Sequence, residues 1–142
     1  MFDIIIIGAG TAGISAYKEA VKHTNNILII NDGPWDTTCA RVGCMPSKVL
    51  ISTANRMFDI QNAQEVALDV SANINTNQVM QHVQNLRDRF TQATLKDVDQ
   101  WPTEHKISGK AHFIDAQTVE VNGKHYKSKS LDRKSTRLNS SH

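Results

Sequence analysis

The first thirteen residues constrain the fold more than any other stretch. Phe2 to Ile7 reads FDIIII, closing on four consecutive isoleucines, and Gly8-Ala9-Gly10-Thr11-Ala12-Gly13 follows at once. A β-branched run of this kind suits a strand covered on both faces of a parallel sheet. After the glycines, Ile14, Tyr17, Val21 and the alanines between them suit a helix packed on that sheet. Asn25-Asn26 breaks the pattern, and Ile27 to Ile30 makes a second apolar strand. The spacing therefore predicts a β-α-β unit.

The glycines have distinct physical uses. Gly8 permits a tight turn out of the first strand. Gly10 lets the backbone approach a pyrophosphate, and Gly13 lets helix and strand pack closely. Phosphates would then face the free N–H groups and positive end of the helix. A G-x-G-x-x-G motif between a strand and a helix, with a second strand after it, is far more specific than the motif alone. The expected class is α/β with a Rossmann-like dinucleotide site. An acidic residue commonly ends the second strand to hold ribose hydroxyls. Here Asn31 occupies that position and Asp32 comes next, and either can serve.

Net charge narrows the partners. The chain carries a formal +2, but Asp132, Arg133, Lys134 and Arg137 account for it, leaving 13 basic and 13 acidic residues in 1–131. No basic face remains to argue for nucleic acid. The apolar start is too short to span a bilayer and lacks the flanks of a signal peptide. A soluble, cytoplasmic protein without a membrane partner is expected.

Both cysteines of the chain fall within CARVGCMPSK, residues 39–48. Zinc would need two further ligands, and none of the six histidines forms a local ligand pair, so no metal is expected. A structural disulfide across so short a loop gains little, and the cytosol disfavours it. Two unpaired core cysteines are a further alternative. The surroundings favour a catalytic dithiol. Pro46 fits the first turn of a helix continued by Val49, Leu50, Thr53, Met57 and Ile60. Cys44 is thus expected at a helix N-terminus, where dipole and free N–H groups lower a thiol pKa. Residues five apart on a regular helix diverge, so the pair can close only if 39–44 is irregular, a freedom Gly43 supplies. Lys48 adds positive charge one turn on. A dinucleotide site together with a dithiol suggests a flavin linking thiols to nicotinamide.

These residues resemble the active-site signature of the flavoprotein disulfide reductases. The Pro-Ser-Lys ending and the context GPWDTTCARVGCMPSK are most similar to dihydrolipoyl dehydrogenases. The resemblance runs from about Phe2 to about Leu131 and thins after residue 60. It implies that Gly8, Gly10 and Gly13 cradle the FAD pyrophosphate. It makes Cys39 the interchange thiol, places Cys44 under the flavin, and brings Thr38 and Lys48 to flavin contacts. It implies electron flow between dihydrolipoamide and NAD, and a homodimer when full-length. The family has Gly-Gly where this chain has Asp36-Thr37, and Asn where it has Arg41. A glutathione- or mercuric-reductase-like enzyme is the nearest alternative, and a nucleotide-binding or thiol-redox module without turnover is a second.

Further along, residues 61–74 are polar and uninformative. Thr76 is a candidate N-cap for a long amphipathic helix with Val79, Val83, Leu86, Phe90 and Ala93 on its apolar stripe and Trp101-Pro102 as its stop. His82 and Arg87 to Arg89 lie off the stripe and read as a solvated face. The segment KISGKAHFIDAQTVEVNGKHYKSKS predicts short strands, with Asn122-Gly123 as a hairpin turn. The resemblance identifies these strands with the β-meander of the family's FAD domain. It brings the Ala111 backbone to the adenine; a plain strand residue is the alternative reading there.

The last eleven residues, DRKSTRLNSSH, match the in-frame translation of a common sequencing adapter. Residues 132–142 are therefore expected to be a non-native or disordered tail, with the native frame stopping at about Leu131. The sequence holds no second glycine motif for NAD, no second FAD segment and no C-terminal dimerisation domain with its His–Glu pair. A piece with this content is not expected to turn over, nor to form a complete sheet.

Overall fold

The computed structural model describes residues 1–133, with side chains described through Leu131. Strand β1 (Phe2–Ile7), helix α1 (Thr11–Ala20) and strand β2 (Ile27–Asn31) come first. Helices α2 (Thr38–Val42), α3 (Cys44–Gln61) and α4 (Thr76–Asp99) follow, then strands β3 (Lys106–Ser108), β4 (His112–Phe113), β5 (Thr118–Val121) and β6 (Lys124–Arg133). The chain divides into two compact units. The first holds Met1–Thr37 and the chain from Leu95 onward; the second is Thr38–Thr94.

In the first unit one mixed sheet runs in the order β3-β2-β1-β6-β5-β4. β1 pairs in parallel with β2 and β6, and β2 with β3; β4, β5 and β6 form an antiparallel meander. The predicted β-α-β unit is present with nearly the expected bounds. The hairpin at Asn122-Gly123 is present too, with φ +52° and +75°, the left-handed pair of a type I′ turn. One expectation is corrected. Lys106–Ser108 does not join the meander; it extends the parallel sheet beside β2.

β6 changes partner along its length. Lys124 to Lys127 pair with β5, and from Ser128 the strand pairs with β1. At the handover Ser128 is fully buried. Its hydroxyl accepts the Ser130 N–H at 3.2 Å and lies within reach of the Asp3 and Ser130 carbonyls, so burial leaves no polar atom unmet. Backbone pairing continues past Leu131 to Arg133, opposite Ile7. The reading of the remaining tail falls on residues 134–142, outside the described residues.

Alternation of the β1 and β2 side chains gives the sheet two apolar faces. One face gathers Ile6, Ile14, Tyr17, Ile27, Ile29 and Val98. The other gathers Ile5, Leu28, Ile30, Val119 and Val121. Each fully buried aliphatic side chain contributes about 1.5–3 kcal/mol, so the isoleucine runs are the main source of cohesion. Tyr17 and His105, 88 residues apart, meet in the core with Oη and Nδ1 at 2.8 Å. Trp101 stacks on the Tyr17 ring at 3.9 Å. Burial, helped by Glu104, pushes the Tyr17 hydroxyl above its ordinary pKa, so it keeps its proton and the pair holds in either histidine tautomer. Tyr17→Phe is expected to leave Nδ1 of the buried His105 unmet. The cost is about 1–3 kcal/mol, read as a lower denaturant midpoint at unchanged slope.

The second unit is helical. α3 and α4 carry the predicted stripes: Val49, Thr53, Met57 and Ile60 are half-buried on one, and Val79, Leu86 and Phe90 are half-buried and Val83 buried on the other. Leu50 and Ala93 are exposed instead, off those stripes. The α4 N-cap is Asn75 rather than Thr76: its Oδ1 accepts the Gln78 N–H at 3.1 Å. Among the described residues no helix is long and apolar enough to cross a membrane.

Candidate functional site

In the first unit the glycine turn is built backbone first. Gly8 has φ +99°, a left-handed value that suits glycine, and its N–H donates to the Ile30 carbonyl at 2.7 Å. A Cβ on Gly13 would lie 1.8 Å from the Gly8 carbonyl oxygen, so only glycine lets α1 cross β1 here. Gly10 differs: its backbone is extended, it caps α1 with no side-chain hydrogen bond, and a Cβ there would meet nothing within 4 Å. Open space therefore lies before the uncapped N–H groups of a helix start, which is what a pyrophosphate requires. These residues fit the phosphates of a dinucleotide.

Asn31 is bound into this turn. Its Oδ1 accepts the Ala9 N–H at 2.9 Å, and its Nδ2 donates to the Gly33 and Pro34 carbonyls at 3.0 and 3.1 Å. With both amide hydrogens engaged, Asn31 can meet a ribose hydroxyl only as an acceptor, through the second lone pair of Oδ1. Asp32 is exposed in the bend beyond. Ala111 is not a strand residue: it lies in the loop before β4, packed against the cluster of Ile5, Leu28 and Ile30. The structure thus brings Gly8, Gly10, Gly13 and Asn31 together, while Asp32 and Ala111 make no hydrogen bond to them. The bracing role of Asn31 had no local signal beyond its place after an apolar strand.

In the second unit, Thr38, Cys39, Cys44 and Lys48 lie on two successive helices. α2 ends at Val42, Gly43 breaks the chain, and Cys44 opens α3. The expected irregularity is therefore real. A Cβ on Gly43 would stand 3.1 Å from the Thr38 carbonyl oxygen and 3.3 Å from the Cys39 Cα, so a larger residue would need the α2 backbone to give by a few tenths of an ångström. The break turns the two sulfurs toward each other, within hydrogen-bonding reach, as free thiols. Thr37, at the approach, has φ +64°, where a β-branched residue is costly by about 1–2 kcal/mol. Strain of this kind concentrates at functional segments.

The expected lowering of the Cys44 pKa is not what the pair produces. Hydrogen bonding to Cys39, and the charge of Cys39, hold the Cys44 thiol above its ordinary range. The backbone N–H of Cys44 and the Lys48 charge pull the other way and are outweighed. Two thiols in contact share a proton, and the second to ionise does so against a neighbouring thiolate. Removing that neighbour reverses the sign: Cys39→Ala should move the pH midpoint for alkylation of Cys44 by iodoacetamide downward. Mass spectrometry of the modified peptide across a pH series measures it.

The chain that carries this parallel β-α-β unit and this thiol pair has recognisable relatives. The family model for pyridine nucleotide-disulphide oxidoreductases matches residues 2–131, and the chain belongs to that family. A dihydrolipoyl dehydrogenase of Mycoplasma pneumoniae is 30% identical over 132 residues, which cover 92% of this chain and 29% of that protein. A mercuric reductase of Bacillus cereus is 32% identical over 124 residues, covering 86% of this chain and 20% of that protein. Among solved structures, the HOCl-induced flavoprotein disulfide reductase RclA from Escherichia coli matches in fold, with a TM-score of 0.70 at 18% identity over 94% of this chain and 28% of that one. The chain spans less than a third of the length of these relatives.

Proposed function

We propose that this chain supplies the FAD-binding and dithiol part of an enzyme that oxidises dihydrolipoamide with NAD as acceptor. The observation that carries the reading is the paired Cys39 and Cys44, set at a glycine break that opens a helix. The chain's membership of the family implies FAD. Gly8, Gly10, Gly13 and the start of α1 would hold its pyrophosphate, and Asn31 or Asp32 its ribose, with Ala111 toward the adenine. Thr38, Cys44 and Lys48 would meet its flavin end. When bound, FAD supplies a two-electron relay between thiols and nicotinamide.

The protein's own share is thiol exchange. A substrate thiolate attacks Sγ of Cys39 in the oxidised pair, the Cys39–Cys44 bond breaks, and Cys44 leaves as a thiolate. The second substrate thiol then attacks the mixed disulfide at the substrate sulfur, closing the substrate disulfide and releasing Cys39. One substrate dithiol becomes a disulfide, the protein disulfide becomes a dithiol, and two electrons have moved. Lys48, one helical turn past Cys44, favours the thiolate that leaves. NAD and a second subunit belong to the proposed whole enzyme, a homodimer in the cytoplasm.

The assay is NAD reduction by dihydrolipoamide in the full reading frame that contains residues 1–131. Turnover dependent on both cysteines supports the reading. Reduction of mercuric ion by a nicotinamide nucleotide in its place would favour the second reading, to which the mercuric reductases among the relatives point. A stop directly after residue 142 in the source DNA would favour a thiol-redox module without turnover.

A further inference from the structure

The carboxyl end of β2 is anchored on every side. The Gly8 N–H donates to the Ile30 carbonyl, and the Asn31 carbonyl accepts the Gly109 N–H at 2.9 Å. The Asn31 side chain then works in two directions. Its Oδ1 holds the Ala9 N–H of the glycine turn, and its Nδ2 reaches forward to the Gly33 and Pro34 carbonyls. The forward bonds close a short loop with Asp32 inside it. Gly33, with φ +121°, makes the reversal that this closure needs. Asp32 itself is exposed and makes no hydrogen bond or ion pair among the described residues. A carboxylate without a partner is thus held on a braced loop directly beside the glycine turn.

In units of this kind an acidic residue ending the second strand accepts from the ribose hydroxyls. Asn31 stands at that place but is poorly equipped for the task. Both its amide hydrogens and one lone pair of its oxygen are engaged, which leaves one acceptor position for two hydroxyls. Asp32 offers two carboxylate oxygens with every acceptor position open. Hydrogen bonds to a charged acceptor are also about twice as strong as those to a neutral one. We infer that the ribose-holding role has moved one residue along the chain. Asp32 accepts the hydroxyls of the adenosine ribose, and Asn31 is a positioning residue that ties the Asp32 loop to the glycine turn. This assignment rests on the FAD reading above and chooses between the two residues which that reading leaves open.

The test compares FAD with its analogue lacking the 2′-hydroxyl of the adenosine ribose. Each is titrated onto the apoprotein of the full reading frame, and quenching of flavin fluorescence reports binding without turnover. The wild type should bind FAD about tenfold more tightly than the analogue. Asp32→Ala should erase that preference and leave the thermal midpoint in place, because the side chain is exposed. Asn31→Asp gives opposite signs for the two roles. It keeps an acceptor for the Ala9 N–H but loses both donors, which releases the Asp32 loop. FAD should then bind about tenfold more weakly, with a smaller preference over the analogue. Were Asn31 the ribose ligand, the same change would supply a charged acceptor and tighten FAD. Tighter FAD in Asn31→Asp, or a preference that survives Asp32→Ala, would overturn the assignment. FAD bound by the wild type with no preference would sink it and leave the FAD reading standing, whereas no flavin bound at all would sink both.

Discussion

Replacing Gly13 with alanine is expected to prevent the first unit from folding. The added Cβ would stand 1.8 Å from the Gly8 carbonyl oxygen, a backbone atom fixed by the turn out of β1. No rotamer relieves this clash, so α1 must withdraw from β1. Withdrawal uncovers Ile6, Ile14, Tyr17 and Ile29 together. Ordinary overpacking costs about 1–3 kcal/mol, and this case exceeds it because the obstruction is backbone. A domain of this size has a margin of only about 5–15 kcal/mol. Circular dichroism and a denaturant titration would show loss of the cooperative transition. Gly10→Ala is the control. Its Cβ meets nothing within 4 Å and φ is −76°, so stability should change by no more than about 0.5 kcal/mol. Retention of FAD should fall sharply, because the methyl occupies the space proposed for the pyrophosphate. A Gly10→Ala protein that keeps its flavin would place the phosphates elsewhere.

The second large effect separates the two thiols. Cys39→Ser and Cys44→Ser should each lower dithiol-dependent NAD reduction at least about a thousandfold, as loss of a nucleophile commonly does. Their partial reactions should differ. With Cys44 replaced, Cys39 can still attack a disulfide substrate but nothing resolves the product, so a mixed disulfide on Cys39 accumulates. With Cys39 replaced, the remaining Cys44 thiol should not be captured at a comparable rate. Intact-mass spectrometry after incubation with oxidised lipoamide distinguishes the cases. Capture on Cys44 in Cys39→Ser, and none on Cys39 in Cys44→Ser, would reverse the assigned roles.

Local signals made part of this molecule readable in advance. The isoleucine run of β1, the glycines and the apolar run of β2 each act within a few residues, so β1-α1-β2 could be drawn from the sequence with little error. Asn122-Gly123 is similar, because two consecutive left-handed residues leave a compositional trace. The Gly43 break was legible because two cysteines five apart cannot meet on one helix. What escaped was non-local. Nothing within Lys106-Ile107-Ser108 says that it pairs with β2 rather than with the meander. Nothing near Tyr17 points to His105. Asn31 could be placed at the end of its strand, yet its three hydrogen bonds depend on where Ala9, Gly33 and Pro34 come to rest. The Cys44 pKa was misjudged because the helix end is visible in sequence, whereas the strength of one thiol's effect on the other depends on their separation in space.

The handover at Ser128 bears on how the chain comes off the ribosome. β1 is made well before the strand that closes its second edge, which begins its pairing with Ser128, whose hydroxyl reaches a carbonyl 125 residues upstream. Until that stretch emerges, Ile4 to Ile7 present an apolar ribbon with open hydrogen-bonding groups along one side, the arrangement most prone to capture by a stray strand. Loop closure over such a span is slow to start and gains nothing until it completes. Nascent chains of this protein therefore pass through a long interval in which the half-made sheet depends on being shielded, and synthesis rate and chaperone supply, rather than final stability, set the yield of folded molecules.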